Sequence, residues 1–330
     1  MSYIKDFKDS LLSDAHLCDY ENFVLELFRF QANNCRVYGE YIKLINRSLS
    51  SIKKISDIPF LPITLFKNYD VLSHAQQPKF YFLSSGTSGK ASSRHSIVDP
   101  DFYEQISKKI FEHQYGSLSE YQIFALLPSY LEQGSSSLVY MVNAFIKHAV
   151  QGSDFFLHNF NDLKNRVLEA EKRSQKYILW GVSYALLDFA AYFPEPLLHA
   201  KIIETGGMKG KRKEMTKQML HGILKKAWGM DIIGSEYGMT ELLSQAYALQ
   251  DGVFEAPSSM KVLLRDPNDP YDLTPRTRQG GINVIDLANI DSCAFIETQD
   301  LGFLGQKTNT FEIAGRLQIS DLRGCNLMLG

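Results

Sequence analysis

The strongest constraint on the fold is a series of apolar runs that each end in turn-forming residues. After residue 120 these runs are YQIFALLPSY, YILWGVSYALL, AKIIETGG, MDIIGSEYG and GINVIDL. Helical patterns lie between several of them, for example over residues 136–149 and 212–228. Because strands that alternate with helices build a parallel sheet covered by helices, we predict an α/β fold.

The two ends of the chain follow other patterns. Residues 21–48 place apolar side chains three or four positions apart, which predicts two helices with a break near QANN. The prolines of 57–70 predict an extended segment, and KFYFLSS at 79–85 predicts a short strand. After about residue 250, short strands alternate with turns. We therefore predict a helical N-terminal segment packed on the core (1–75), an α/β core (76–250) and a β-rich subdomain (251–330).

Composition excludes several classes of protein. The net charge of −2 and the lack of a long basic run argue against a nucleic-acid partner. No stretch of about 18 apolar residues is present, so we expect no membrane insertion. The four cysteines show no CxxC spacing and the eight histidines no HExxH pattern. We therefore expect a protein of the reducing cytoplasm without a transition-metal centre.

A glycine-rich stretch, FLSSGTSGKAS at 82–92, follows the predicted strand. Glycines in such a place let backbone N–H groups approach an anion closely, and Ser and Thr hydroxyls add donors. Lys90 would supply a positive charge. Gly86 and Gly89 are separated by two residues, whereas a Walker A loop needs four before its GK pair, so the stretch is not a P-loop. The alternatives are a phosphate-binding loop and a solvated surface loop.

Four further segments decide between these alternatives: ETGGMK (204–209), SEYGMTEL (235–242), IETQDLGFL (296–304) and GRLQISDLRGCNL (315–327). With them the chain resembles the adenylate-forming superfamily, which has these motifs in the same order. IPFLPITLFK (58–67) and LLPSYLEQGSSSLVYM (126–141) are similar to its acyl-protein synthetase (LuxE-like) branch, which is related to phenylacetate–CoA ligases. The resemblance implies the family's large N-terminal domain, with mostly parallel, helix-covered sheets and a small β-rich subdomain.

The resemblance also implies ATP and Mg²⁺ as cofactors and assigns roles to individual residues. Lys90 would lie near the pyrophosphate, Thr240 would contact the α-phosphate, and Glu241 would position the magnesium ion. Tyr237 would stack on adenine and Asp300 would bind the ribose hydroxyls. The other residues assigned to the nucleotide are Ser84, Ser85, Gly86, Thr87, Ser88, Gly89, Gly206, Gly207, Glu236, Gly238, Met239, Arg316 and Arg323, Arg316 being counted as catalytic.

Plain structural explanations compete with these roles. Lys90 could be a surface lysine, Thr240 and Glu241 the first turn of a helix, and Asp300 a turn residue. Gln318 is the candidate hinge residue between Arg316 and Arg323. For the acyl pocket, the resemblance points to the segments around residues 130–135 and 180–183, which would be a helix and a strand that line it. The alternative is that these residues only form part of the hydrophobic core. The candidate pocket residues are Tyr130, Gly134, Ser135, Trp180, Gly181 and Ser183.

The predicted function is ATP-dependent activation of a carboxylic acid, a fatty acid in this branch, as acyl-AMP. The acyl group would then pass to a thiol on a carrier protein or a partner reductase. The family's C-terminal lid is expected to be absent, because the chain ends at Gly330, and Cys325 is a candidate acyl acceptor. The alternatives are an acyltransferase that uses activated acyl groups and a non-catalytic subunit that binds nucleotide or acyl groups.

Overall fold

The computed structural model describes residues 2–74, 77–84, 92–128, 134–206, 215–250, 252–273 and 278–317. The α-helices of these ranges are α1 (Ser2–Leu12), α2 (Tyr20–Asn34), α3 (Arg36–Leu44), α4 (Pro100–Tyr115), α5 (Ser137–Ile146), α6 (Phe160–Lys172), α7 (Ser183–Tyr192) and α8 (Lys217–Trp228). The strands of the first half are β1 (Leu61–Pro62), β2 (Phe80–Leu83), β3 (Arg94–Ile97), β4 (Gln122–Leu126), β5 (Asp154–Phe155), β6 (Tyr177–Val182) and β7 (Ala200–Thr205). Those of the second half are β8 (Gly234–Tyr237), β9 (Ala246–Ala248), β10 (Val253–Glu255), β11 (Met260–Arg265), β12 (Gln279–Asp286), β13 (Phe295–Leu304) and β14 (Thr310–Arg316).

One large mixed sheet organises the molecule. Its strands follow the order β11-β12-β13-β14-β10-β9-β8-β7-β6-β4-β5, with β1 paired to β13. Strands β5, β4, β6, β7 and β8 pair in parallel, and the strands from β9 to β14 pair in antiparallel fashion. The α/β fold with a parallel, helix-covered region and a β-rich C-terminal part is therefore confirmed. The sheet continues across residue 250, and the three-part division of the chain stays a prediction.

The central parallel strand β6 is buried because helices cover both of its faces. All six residues of β6 are buried, in keeping with the nearly continuous apolar sequence of such strands. On one face, the Trp180 ring stacks against Phe111 of α4 and contacts Phe145 of α5. On the other face, a Cβ at Gly181 would clash with Leu186 of α7. The absence of a side chain at Gly181 thus lets α7 pack closely on the sheet.

The N-terminal predictions are confirmed in part. The break between α2 and α3 falls at Cys35, directly after QANN, where the backbone is extended. The prediction of an extended segment over 57–70 is wrong for Ile63–Lys67, which forms a 3₁₀ helix. The physical reason is that Pro62 restricts its own φ and the residue before it, but leaves the residues that follow free to turn. None of the helices in the described ranges is long and apolar enough to cross a bilayer.

Candidate active site

The base of the glycine-rich loop is closed by two reciprocal hydrogen bonds. The Ser84 amide donates to the Ser93 carbonyl over 3.0 Å, and the Ser93 amide donates to Ser84 Oγ over 2.8 Å. The neighbouring Leu83 amide donates to the Ser135 carbonyl over 2.8 Å, so Ser135 lies beside this base. The other loop residues assigned to phosphate lie outside the described residues: Ser85, Gly86, Thr87, Ser88, Gly89 and Lys90.

Glu241 lies against the base of the loop although about 150 residues separate the two in sequence. Its carboxylate is buried and accepts a hydrogen bond from the Ser93 side chain. Burial raises the pKa of Glu241 above its ordinary value, and the Ser93 hydrogen bond opposes this shift. The positive charges of Arg316 and Lys67 act in the same direction as Ser93. The carboxylate is therefore placed where an additional cation would favour its ionised form.

A buried histidine that sequence reasoning missed fixes the backbone next to Glu241. His95 of β3 donates from Nδ1 to the Thr240 carbonyl over 2.8 Å, with the tautomer assigned because a carbonyl can only accept. Burial lowers the pKa of His95 to about 4, so the ring is neutral at pH 7. Phe66 packs edge-on against it at 5.8 Å between ring centroids. No motif marked His95, because one histidine in a short strand carries no spacing signal.

A second support for the Thr240–Glu241 segment comes from the 3₁₀ helix Leu287–Asp291 and the residue before it. Asn289 Nδ2 donates to the Glu241 carbonyl over 2.8 Å. The buried Asp286 carboxylate accepts from the amides of Leu243 (2.7 Å) and Ser244 (3.0 Å). These bonds hold residues 241–244 in one orientation. The sequence analysis predicted a role for neither Asp286, the acceptor, nor Asn289, the donor.

The predicted ribose residue, Asp300, forms a three-membered cluster with two other predicted residues. Tyr237 donates its hydroxyl to Asp300 Oδ2 over 2.9 Å, and Arg316 Nε donates to Oδ1 over 3.0 Å. Asp300 and Arg316 are direct partners across β13 and β14. Burial, and after it the charge of Asp300, raises the pKa of Tyr237 well above its ordinary value. Since a carboxylate offers about four acceptor positions, Asp300 keeps capacity for further donors.

The Tyr237 ring is held by aromatic neighbours. It lies edge-on to Phe311 at 5.3 Å and tilted to Phe254 at 5.8 Å, and those two rings stack on each other. Tyr237 therefore joins β8 to β10 and β14, and its hydroxyl reaches β13 through Asp300. The structure brings Tyr237, Asp300 and Arg316 together, and their nucleotide-binding roles stay predictions. Arg323 and Gln318 lie outside the described residues.

The turn after β7 is supported by a buried carboxylate, Glu204. Ser183 Oγ donates to the carbonyl of Gly206 (2.8 Å) and to Glu204 Oε2 (3.1 Å), and Ser235 Oγ donates to Glu204 Oε1 over 2.8 Å. Lys217 of α8 forms a salt bridge with the same carboxylate. Gly206 has a φ of +66°, a conformation that favours glycine. Ser183 thus serves the Gly206 turn, whereas Gly207 lies outside the described residues.

Partners outweigh burial at Glu204. Burial alone would raise its pKa, but His221, Lys217 and Ser235 together lower it to about 2. His221 Nε2 lies 3.7 Å from Glu204 Oε1. Helix α8 can present both basic residues because Thr216 caps its first turn and they stand four positions apart on one face.

Glu236, one strand away, has a different environment. Its Oε2 accepts a hydrogen bond from the Thr205 hydroxyl. Burial raises the pKa of Glu236 to about 7, and the negative charge of Glu204 contributes in the same direction. Gly238 and Met239 follow between β8 and Thr240, and a Cβ at Gly238 would clash with Glu236 Oε1. The absence of a side chain at Gly238 thus lets the chain lie close to this carboxyl in its observed orientation.

The candidate acyl-pocket residues do not share one surface. Trp180 is fully buried between α4 and α5, and Gly181 faces α7 on the opposite side of β6, as the two-residue period of a strand requires. Ser183 is used by Glu204 and Gly206. Gly134 and Ser135 precede α5, and Tyr130 lies outside the described residues. Their common role in acyl binding stays a prediction.

Comparison with known proteins places the fold. No protein-family model matches the chain, and a search of curated proteins finds no match. Among solved structures, 2-hydroxyisobutyryl-CoA ligase in complex with 2-HIB-AMP and CoA has a TM-score of 0.65 at 12% identity, covering 95% of this chain and 74% of that one. O-succinylbenzoate coenzyme A synthetase from Bacillus subtilis, in complex with ATP and magnesium ion, has a TM-score of 0.51 at 16% identity. That alignment covers 72% of this chain and 49% of the synthetase, so the chain spans about half of its length.

A third similar structure contains the adenylation, ketoreductase and pseudo-Asub domains of a keto acid-selecting NRPS module. It matches with a TM-score of 0.53 at 14% identity and covers 72% of this chain and 24% of that one. At such identities the likeness concerns the fold. The chain therefore has the α/β fold of adenylate-forming ligases, and what its site does has to be argued from its own residues.

Proposed function

We propose that the protein is an ATP- and Mg²⁺-dependent ligase that activates a carboxylic acid as acyl-AMP and passes the acyl group to a thiol. The observation that carries the proposal is the position of Glu241. Its carboxylate meets the base of the glycine-rich loop at Ser93, and four residues earlier Tyr237 binds Asp300. One short segment thus joins a place suited to phosphates to a place suited to a nucleoside.

In the first step, a carboxylate oxygen of the acid attacks the α-phosphorus of ATP, and the bond to the β-phosphate bridging oxygen breaks to release pyrophosphate. In the second step, a thiol sulfur attacks the acyl carbon, AMP leaves with the bonding electrons, and the thiol proton passes to solvent. Both steps bring anions together, so the site must align them and neutralise their charge.

The residues divide this work. Ser84, the 85–89 loop and Lys90 would bind the outer phosphates, and Thr240 would contact the α-phosphate. Asp300 would accept both ribose hydroxyls at the acceptor positions that Tyr237 and Arg316 leave open. His95 and Asn289 keep the Thr240 and Glu241 backbone in place. Arg316 is exposed over 77% of its side chain and can therefore reach a bound nucleotide.

The metal site fits Mg²⁺ better than an ion that needs a full set of protein ligands. No group of three or more His, Cys, Asp or Glu in the described ranges could hold a metal. Mg²⁺ commonly rests on one or two carboxylates and completes its coordination with water and phosphate oxygens. Glu241 would be that carboxylate, and the bound ion would neutralise phosphate charge.

The finer assignment rests on the sequence motifs. We place the protein in the acyl-protein synthetase branch, with a fatty acid as the expected substrate and a cytoplasmic location. The acceptor would be a carrier-protein thiol or a partner reductase. Cys325 is a further candidate acceptor and lies outside the described residues.

The test is carboxylate-dependent exchange of labelled pyrophosphate into ATP, with a panel of short, long and aromatic acids. We expect exchange with one class of acid and a fall of at least about 100-fold in Glu241→Gln and Lys90→Ala, because each removes charge stabilisation from the transition state. Glu255→Gln, which changes an exposed glutamate of β10, is the matched control and should exchange at the wild-type rate.

Two results would contradict the proposal. Exchange that persists in Glu241→Gln would remove the assigned role of this carboxylate. No exchange with any acid, combined with acyl transfer from an acyl-CoA to a thiol, would instead identify an acyltransferase that uses activated acyl groups.

A further inference from the structure

Two side chains beside the segment that leads to Thr240, Glu236 and Gln245, each have one oxygen atom that receives no hydrogen bond from the described residues. Glu236 Oε2 accepts from Thr205, but no hydrogen bond from the described residues reaches Oε1. Gln245 donates from Nε2 to the Leu243 carbonyl over 3.0 Å. Its Oε1 is buried and has no hydrogen-bond partner among the described residues. A buried acceptor without a partner, such as Gln245 Oε1, is rare in folded proteins and calls for a donor.

These two side chains lie next to each other. A Cβ on Gly238 would clash with Glu236 Oε1 and would stand 3.5 Å from Gln245 Cγ, so both flank the same glycine. The adjacent strands give the same result, because Glu236 pairs directly with Tyr247 and Gln245 lies two positions before Tyr247 on the same face. The two side chains therefore flank the same glycine on one face of the sheet.

The surroundings of this place are aromatic and buried. Burial, and after it the charge of Glu236, raises the pKa of Tyr103, Tyr115 and Tyr247, so all three rings lie near this carboxyl. Tyr115 and Tyr247 meet edge-on at 5.4 Å, and the hydroxyl of each is buried without a partner within the described ranges. The cluster thus combines acceptors that lack a donor with hydroxyls that lack any partner.

The cluster is close to the proposed reaction centre. Gly238 precedes Thr240 by two residues, which spans at most about 7 Å of backbone. Thr240 is the residue proposed to contact the α-phosphate that the acid carboxylate attacks. A group bound by Glu236 and Gln245 would therefore belong to the part of the acid near its carboxyl end.

We propose that Glu236 and Gln245 recognise a hydroxyl group near the carboxyl end of the acyl substrate, so that the preferred substrate is a 2- or 3-hydroxy acid. A hydroxyl donates one hydrogen bond and accepts others, which satisfies the free acceptors and a neighbouring tyrosine hydroxyl together. An unsubstituted acid would leave Gln245 Oε1 buried and unpaired, which is the physical basis for discrimination. The inference rests on the proposed function and narrows its substrate class.

The experiment compares acids of equal chain length in the pyrophosphate-exchange assay: unsubstituted, 2-hydroxy, 3-hydroxy, 2-oxo and 2-amino. We expect kcat/KM for one of the hydroxy acids to exceed that for the unsubstituted acid by at least tenfold. Gln245→Met keeps the side-chain size but removes the acceptor, and it should reduce this ratio to near one. Glu236→Gln should reduce the ratio less, because one amide oxygen remains. Urea midpoints of both variants check that they fold.

The outcomes separate the inference from the proposed function. Equal rates with substituted and unsubstituted acids, or a preference for the 2-oxo or 2-amino acid, would overturn the hydroxyl assignment while leaving adenylation in place. No exchange with any acid would contradict the proposed function. Calorimetric titration of the same acids without ATP then decides the inference alone, since tighter binding of a hydroxy acid supports it and equal binding overturns it.

Discussion

Glu204 and Glu236 stand at the ends of neighbouring parallel strands, on opposite faces of one sheet. Glu204 faces α8, and its partners His221, Lys217 and Ser235 lower its pKa to about 2. Glu236 faces α4 with the Thr205 hydroxyl as its partner, and burial raises its pKa to about 7. Similar burial thus accompanies pKa shifts in opposite directions, because the hydrogen-bond donors and positive charges around each carboxylate decide whether its charge is stabilised. The carboxylate with several donors supports the fold, whereas one oxygen of the other receives no hydrogen bond from the described residues.

The largest effect that tests this contrast is expected from Glu204→Gln. The change removes a buried carboxylate whose charge its partners stabilise, and it should lower the free energy of unfolding at pH 7 by about 3 kcal/mol. The loss is smaller than for a fully buried ion pair, because Lys217 is partly exposed and stays hydrated. Because the folded pKa is lowered from 4.5 to about 2, this stabilisation is present above pH 4.5 and disappears as the pH falls towards 2. Urea denaturation at pH 7 and pH 3 measures both.

The matched control for Glu204 is Glu169→Gln. Glu169 pairs with Arg173 four positions later on an exposed helix face. Such pairs contribute about 0.5 kcal/mol or less. Equal losses in the two variants would show that Glu204 contributes no more than a surface ion pair.

The second prediction concerns Glu236, whose titration lowers the free energy of unfolding as the pH rises. The folded pKa of Glu236 is raised from 4.5 to about 7, so wild-type stability is full below pH 4.5 and declines as the pH rises through 7. The shift corresponds to about 3 kcal/mol. Glu236→Gln removes the titration and should be more stable than the wild type by about this amount at pH 8, with little difference at pH 4.5. Parallel stability curves for the two proteins over this pH range would contradict the contrast.

The sequence predicted the fold well where local patterns decide it. The apolar runs and their turns correctly indicated β4, β6 and β7, since buried parallel strands need nearly continuous apolar sequence. In MDIIGSEYG, β8 lies on GSEY, after the apolar residues. The 3₁₀ helix Ile63–Lys67 was missed, because prolines on its N-terminal side dominated the pattern.

The candidate site was predictable only in part. Tyr237, Asp300 and Arg316 were grouped through motif order, and the structure brings them together. His95 and Asn289 were not predicted, since His95 lies 145 residues from Thr240 and Asn289 lies 48 residues from Glu241. Such contacts depend on how distant strands pair, and no local spacing encodes them. Glu204 stands inside a recognised motif, but its partners Lys217 and His221 resemble ordinary residues of an amphipathic helix.

Asp300 is intermediate between Glu204 and Glu236, because Tyr237 and Arg316 donate to it and acceptor positions remain for ribose. Isothermal titration calorimetry with ATP·Mg²⁺ and AMP therefore tests the central claim, that this fold binds a nucleotide through Asp300. We expect binding to the wild type and at least tenfold weaker binding, about 1.4 kcal/mol, to Asp300→Asn. Asp231→Asn changes an exposed aspartate just before β8 and should bind as the wild type does. No binding to the wild type, or equal affinity for the wild type and Asp300→Asn, would contradict the account.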